Sequence, residues 1–455
     1  MNLVIFKNNL RVNDNPVVHN ASNYDGIIPI YIDDTSNIRK KIGSASKYWL
    51  HHALQSLNSN LNNKLQFFKG DSLNIISELN AKYNIKRIFM EKAFTPDEIN
   101  LQKKIVIFAE NLGIHIEIYN CSLLWEPEDI LKNDMTPYKV FSPFYRKGCL
   151  QRYEEPEKPL GHPKEFDFAC VENNTSLVDL DLLPKHDWYK KLNSHWQISE
   201  KDAMEKFKLF VQNSVNEYKV KRDFPYLNKN SSMSPFIRFG MISVHRMWWD
   251  LQKLDFDKNV EHYKSELGWR EFSYYLLYHF PEIEYKNFQP KFDNFEWQNN
   301  KVKFNAWKKG LTGFPIVDAG MRELWETGFI HNRIRMVVGS FLVKNLLVDW
   351  RLGEQWFWDC LVDADYASNV ASWQWVAGTG ADAAPYFRIF NPILQGEKFD
   401  PESQYTLKYV PEIKHLPNNY IQKPWESNIE SDYPDPIIDY RDSRNLSLEK
   451  YQSIK

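Results

Sequence analysis

Short apolar runs alternate with longer amphipathic stretches from Met1 to about residue 120. The runs are LVIF, GIIPIYID, LQFF, RIFM and IHIEIY, separated by segments such as KYWLHHALQSLNSNL. Nearly continuous apolar strands, each followed by a helix-period segment, predict an α/β domain with a Rossmann-like parallel sheet over residues 1–125. From Tyr138 to His195 the chain is Pro-rich and charged, as in EEPEKPLGHPKEF and LLPKHDW, and it sustains no period. That stretch reads as a surface connector, and the interdomain linker is set at 126–197. Beyond Ile198 the period turns helical, in SEKDAMEKFKLFVQNSVNEY, HYKSELGWREFSYYLLYHF and TGFIHNRIRMVVGSFLVKNLL. Residues 198–455 are therefore predicted to form a large all-α domain. No internal repeat, heptad array or low-complexity tract interrupts this order.

Composition narrows the class. With 455 residues and 43% apolar content the chain can build two or three domains around sizeable cores. Nowhere do about 18 apolar residues follow one another, so no membrane span is expected, and the first residues do not resemble a signal peptide. Cys121, Cys149, Cys170 and Cys360 lie far apart without a CxxC pair, which points to a reducing, cytoplasmic setting and away from a cysteine-based metal site. The formal charge of −2 excludes a uniformly basic surface but leaves room for a local basic groove. Aromatic content is high, 15% with 16 Trp, and large rings are ordered only where they pack or stack on something flat.

Several motifs carry candidate chemistry. GTGADA, Gly378 to Ala383, matches the dinucleotide pattern, yet it follows SWQWVA and runs into Pro385 instead of opening a helix after a strand. It is read as something other than a phosphate loop. No P-loop lysine or HExxH signature occurs, and the adjacent His51 and His52 would point in different directions on a helix, so hydrolytic metal chemistry is unsupported and no metal is expected. SELGWREF puts Glu266, Trp269 and Arg270 at i, i+3 and i+4 on one helix face; the ordinary explanation is a surface ion pair beside a buried indole. In GFIHNRIRM, Asn332 and Met336 lie one turn apart, flanked by Arg333 and Arg335, as in a core methionine with solvated arginines. Trp350, Trp356, Trp358, Trp373 and Trp375 then crowd around Asp363, Asp365 and Asn369. This suggests either a core of stacked indoles or a planar ligand held by amides and carboxylates.

Taken together, these motifs resemble the photolyase and cryptochrome flavoprotein family across essentially the whole chain. VIFKNNLRVNDNP is similar to the family's first strand and turn, and KRDFPYLNKNSSMSPFIRFGMIS to its flavin-phosphate loop. WKKGLTGFPIVDAGMRELWETGFIHNRIRM and DADYASNVASWQWVAGTGADAAPYFRIFNPILQGEKFDP are similar to the text around its flavin and lesion cavity. The resemblance implies an α/β antenna domain, a long linker and a helical domain that holds FAD in a bent form. By the same resemblance Tyr218, Ser231, Ser232, Met233 and Ser234 line the phosphate end, and Arg270 is a further cofactor contact. Arg335 and Asp363 pair beside the isoalloxazine, Asp365 lies near its polar edge, and Asn369 faces the flavin N5, where its amide could serve either protonation state.

Within that family the text favours a class I cyclobutane pyrimidine dimer photolyase. Met336 stands where (6-4) enzymes carry histidine, and HNRIRM differs from the SNRGRQ-like text of the DASH group. Glu266, Trp269, Asn332, Met336 and Trp375 form the implied catalytic set, with two indoles walling a slot for a pyrimidine dimer flipped out of the duplex. Trp307, Trp350 and Trp373 match the chain that re-reduces oxidised flavin by hopping from the surface. Arg222 and Arg333 match phosphate contacts, with Lys264 and Lys398 as further candidates. The implied partner is damaged DNA, the implied active cofactor is reduced anionic FAD, and the expected state is monomeric. For an antenna, Asp97 and Glu98 stand where a folate-binding member has Asn and Glu, so methenyltetrahydrofolate, a deazaflavin and an empty site all stay open. NVAS before Trp373 departs from the commoner NNGG. A cryptochrome, a light-dependent signalling flavoprotein without repair, is the alternative.

Overall fold

The computed structural model describes residues 1–151, 155–383, 386 and 388–454; Pro385, part of the APYFRIF text and Arg152 to Glu154 of the connector lie outside the described residues. All five apolar runs become strands: β1 (Asn2–Phe6), β2 (Ile27–Asp33), β3 (Gln66–Lys69), β4 (Arg87–Glu91) and β5 (His115–Tyr119). They pair in parallel in the order β3-β2-β1-β4-β5, with Leu3 opposite Ile28 and Ile88. Helices α1 (Pro16–Ala21), α2 (Ser44–Asn60), α3 (Ser72–Tyr83) and α4 (Pro96–Asn111) supply the crossovers that parallel strands require. Leu3, Ile5, Ile28, Ile30, Ile88 and Met90 pack against Ile76, Leu79 and Ile105 on one face, and Val4, Phe6, Tyr31 and Phe89 are buried on the other, so burial on both faces explains the unbroken apolar runs of β1, β2 and β4.

Compactness divides the chain into two units that cut across the 1–125, 126–197 and 198–455 division. The first comprises Met1–Tyr138, Ser142–Asn216 and Ser231–His279, and the second Lys139–Phe141, Glu217–Asn230 and Phe280–Lys455. Side chains tie the later helices of the first unit, α5 (Glu200–Asn213), α6 (Val244–Gln252) and α7 (Lys258–His279), to the sheet. Buried Arg11 donates to the carbonyls of Asp14 (2.8 Å), Gly240 (3.0 Å) and Cys121 (3.2 Å). The Glu200 carboxylate accepts from the backbone of Val12 and Asn13 and from Asn60 Nδ2 at 2.8–3.0 Å. Gly240 has φ +62° and would put a Cβ 1.9 Å from the Asn8 carbonyl, so only glycine allows this approach. The connector adds a parallel bridge between Phe168 and Ile27.

The second unit is helical: α8 (Lys301–Lys309), α9 (Pro315–Thr327), α10 (Asn332–Ser340), α11 (Trp350–Cys360), α12 (Tyr366–Ala377), α13 (Pro392–Phe399) and α14 (Tyr440–Gln452). Buried Asp318 on α9 gathers the backbone of Thr312 and Gly313 and the Tyr433 hydroxyl, and burial still pushes its carboxyl up to about 6. GTGADA is no phosphate loop. Gly378 ends α12 in the left-handed region at φ +86°, donating back to Gln374. Among the described residues no helix is long and apolar enough to cross a membrane.

One buried carboxyl makes the first unit's stability depend on pH. Glu271 accepts from Leu124 N (2.9 Å) and Trp125 N (3.4 Å), while Arg270 Nη1 stands 3.7 Å off and donates to the Ser122 carbonyl. Burial outweighs the arginine and pushes Glu271 from 4.5 up to about 8. Between those values the folded carboxyl keeps a proton that the unfolded chain gives up, so its contribution falls as pH rises and is gone above about 8. Glu271→Gln should flatten that slope. In thermal unfolding, the melting temperature of the variant relative to the parent is expected to rise steadily from pH 5 to pH 8.

Candidate functional site

In the second unit the predicted residues gather where α10, α11 and α12 meet. Arg335 Nη2 binds both oxygens of buried Asp363 at 3.0 and 2.8 Å, and its Nε donates to the Ile330 carbonyl at 2.8 Å. Arg335 thus satisfies a charge that could not be buried alone. Two residues on, Asp365 is the N-cap of α12, accepting from Ser368 N at 2.8 Å. One turn into that helix, buried Asn369 donates through Nδ2 to Glu354 of α11, to its carbonyl at 3.1 Å and its Oε1 at 2.7 Å. Both amide hydrogens are committed, so the expectation that this amide serves either form of a ring nitrogen is corrected: Asn369 offers an acceptor, Oδ1, and suits an N–H.

Behind this wall the indoles are packed. Trp373 meets Phe357 edge-on at 4.9 Å and Trp307 at 6.3 Å, and Trp307 donates to the Val338 carbonyl at 3.0 Å. Trp350 donates to Asn287 Oδ1 at 2.9 Å. Trp307 and Trp350 are 0% exposed and Trp373 is 3% exposed, so none of the three matched indoles itself reaches the surface from which the chain was expected to run. Trp356, part of the tryptophan run noted in the sequence, and Trp297, which was not singled out, are partly exposed indoles of this unit. Met336 is half-buried on α10, Trp375 is half-buried on α12, and Asn332 is exposed as the first residue of α10.

The basic candidates separate sharply. Lys398 is exposed on α13, packed over Phe399, and forms no ion pair among the described residues. Arg222 lies over the Tyr218 ring at 5.1 Å. Arg333 is not an open phosphate contact: Nη2 binds Asp223 at 2.6 Å and the guanidinium stacks on Phe399. His331, between Arg222 and Arg333, is held neutral, pushed down to about 4 chiefly by burial. In the first unit Lys264 is 5% exposed, bound to Gln252 Oε1 (2.7 Å) and Glu261 (3.1 Å) over the Trp248 ring. It is a core lysine and no DNA contact. Sequence also missed Arg388, which is exposed on the loop before α13.

The other predicted residues lie in the first unit. Glu266, Trp269 and Arg270 share α7 as their spacing requires; Glu266 lies 3.9 Å from His262 and is half-buried, as is Trp269. Arg270 is anchored on Ser122 and stacks on Tyr274. Ser231 and Ser232 are half-buried, Met233 is buried, its N–H donating to Ser231 Oγ at 3.4 Å, and Ser234 opens a short helix. At the carboxyl ends of β1 and β4, where the strand order reverses, Asn9 Nδ2 and Glu91 Oε2 are buried without hydrogen-bond partners among the described residues. Burial pushes Glu91 up to about 8. Nearby Asp97 binds Arg39 at 2.6 Å, and Glu98 takes Asn8 and Thr95.

Comparison with known proteins gives the arrangement a context. The family model described as the FAD binding domain of DNA photolyase matches residues 263–453, and that of DNA photolyase matches residues 2–163. A curated relative from Agrobacterium fabrum, a deoxyribodipyrimidine photo-lyase, is 39% identical over 100% of this chain and 98% of its own. A class III photolyase crystal structure from Agrobacterium tumefaciens has a TM-score of 0.95 at 38% identity, covering 100% of this chain and 97% of that one. An archaeal photolyase from Sulfolobus tokodaii, solved with two FAD molecules, has a TM-score of 0.86 at 30% identity, covering 100% of both. The class III description of the Agrobacterium structure differs from the class I text match.

Gly353 of α11 holds the wall together. A Cβ there would come 2.3 Å from Trp373 Cη2 and 2.7 Å from Leu342, both fixed by the core. Gly353→Ala should cost about 1–3 kcal/mol, the usual penalty for overpacking, read as a lower denaturant midpoint with an unchanged m-value.

Proposed function

Given that the chain belongs to the DNA photolyase family, we propose a residue-by-residue account of its work, the light-driven repair of cyclobutane pyrimidine dimers in DNA. The Arg335–Asp363 pair and the oriented Asn369 amide form one rigid wall of the second unit, and that wall carries the reading. Its donor and acceptor set fits the polar side of a reduced flavin: an acceptor for a ring N–H, and a cation beside a carboxylate. Arg335, Asp363, Asp365 and Asn369 would hold the ring. Tyr218, Ser231, Ser232, Met233 and Ser234 would hold the phosphates, whose charge suits hydroxyl and backbone donors, with Arg270 supporting. Bound in its reduced anionic form, FAD supplies the electron that light sends to the dimer and recovers it once both carbon–carbon bonds have opened.

The protein's part is to bind and position. Glu266 hydrogen-bonds the pyrimidine carbonyls, stabilising charge as it develops there, while Trp269 and Trp375 stack on the two bases. Asn332 and Met336 complete that set. The lesion enters as an extruded dinucleotide, less costly to unstack because it pairs badly, in line with the general behaviour of photolyases among base-flipping enzymes. Lys398 and Arg222 hold flanking phosphates. Trp307, Trp350 and Trp373 relay electrons inward through the core. We place the protein with class III, following its likeness to the Agrobacterium structure, and take it to act as a monomer. A light-harvesting chromophore would suit the carboxyl ends of β1 and β4, where the buried polar atoms of Asn9 and Glu91 have no partner among the described residues.

The decisive experiment is light-dependent restoration of thymines in a dimer-bearing oligonucleotide, with prereduced flavin and a dark control. Photoreducible flavin without repair would move the assignment to a cryptochrome. Glu266→Ala is expected to lower the repair yield severalfold while flavin content stays intact; an unchanged yield removes its role. Trp373→Phe is expected to abolish photoreduction yet spare repair by prereduced enzyme, a split that a merely structural indole would not produce.

A further inference from the structure

On the second unit, beyond the residues discussed above, an open cavity of about 600 Å³ is lined by Phe390, Asn391, Gln395, Tyr440, Arg441 and Arg444. Arg441 and Arg444 stand at i and i+3 on α14, both exposed, and neither forms an ion pair or side-chain hydrogen bond among the described residues. Exposed Arg388 lies immediately before the loop that forms the opposite lip and likewise has no acidic partner there. This is unusual in a chain with 59 acidic residues against 57 basic ones. The loop itself is pinned: Lys344 Nζ donates to the Arg388 carbonyl at 3.0 Å, and Phe390 N donates to Ser340 Oγ at 3.3 Å. Below it, Asn345 donates to Ser443 of α14 at 3.0 Å, so the two lips share one support.

We infer that this cavity is a docking groove for the phosphodiester backbone of DNA outside the lesion, with Arg441 and Arg444 as its phosphate contacts and Arg388 at its mouth. The inference rests on the DNA-repair reading and extends it to α14, which lies outside the motifs quoted from the sequence. Charge complementarity selects the occupant. Guanidinium groups match phosphate oxygens in planar, bidentate geometry, and unpaired arginines on a rigid support bind a polyanion without first breaking an internal salt bridge. Phe390 and Tyr440 give the groove flat apolar flanks and Asn391 and Gln395 give it amides, a lining suited to a sugar–phosphate strand. The contact reads no sequence and touches no reacting atom, so it sets affinity and register and leaves chemistry alone.

The test is salt-dependent binding of a dimer-bearing duplex by the parent, by Arg441→Gln and by the double variant Arg441→Gln/Arg444→Gln, all with bound flavin. Each arginine lost should reduce the slope of log K against log salt by about 1. Affinity should fall by the same factor for damaged and undamaged duplex, and light-driven repair at saturating DNA should not change. Trimming the duplex on one side of the dimer should erase the difference between parent and variant. Unchanged slopes in the double variant overturn the inference, as does a variant that loses only inorganic phosphate binding, which would make the cavity a small-anion site. A parent that neither binds nor repairs the dimer would instead overturn the photolyase reading itself.

Discussion

An ionised carboxylate withdrawn from water must find a cation, a set of N–H donors or a proton, and the second unit is organised by how it meets that demand. Asp363 takes Arg335, Asp365 takes the free amides at the start of α12, Glu354 takes the Asn369 amide, and Asp318 takes Tyr433 and two backbone amides. Each solution fixes a second group in place. Arg335 is held at both ends, by Asp363 and by the Ile330 carbonyl, and α10, α11 and α12 are thereby registered against one another. This wall is rigid because its charges are already satisfied within the protein.

Aromatic packing does the rest. Trp373 enters a slot left by Gly353, and Trp307 and Phe357 lie nearly parallel behind it at 6.1 Å. The close approach of Trp373 to α11 depends on the missing Cβ at Gly353.

The sheet was legible because its physics is local: strands buried on both faces must be nearly apolar throughout, as β1, β2 and β4 are, while the edge strands β3 and β5 keep shorter apolar runs. The i, i+3, i+4 face of α7 was equally legible, since helical geometry alone places Glu266, Trp269 and Arg270 together. What the sequence hid were pairings across long separations. Lys264 reads as a surface lysine until Gln252 and the Trp248 ring of another helix enclose it, and Arg333 reads as open until Asp223, 110 residues away, claims it. The compact units could not be read from periodicity either, because hydrogen bonds such as those of Arg11 and Glu200 join helices to a sheet encoded far upstream.

The contact between Asn369 and Glu354 bears on how this position can evolve. Replacing the amide nitrogen by oxygen changes almost nothing in shape, but it sets carboxylate against carboxylate at hydrogen-bonding distance in a buried place. Two such groups cannot both ionise, so the pair would hold one proton between them and titrate as a unit. An aspartate at 369 would therefore make this wall sensitive to acidity unless residue 354 changed with it. The two positions form a single heritable character, and a lineage that altered one would be under pressure to alter the other.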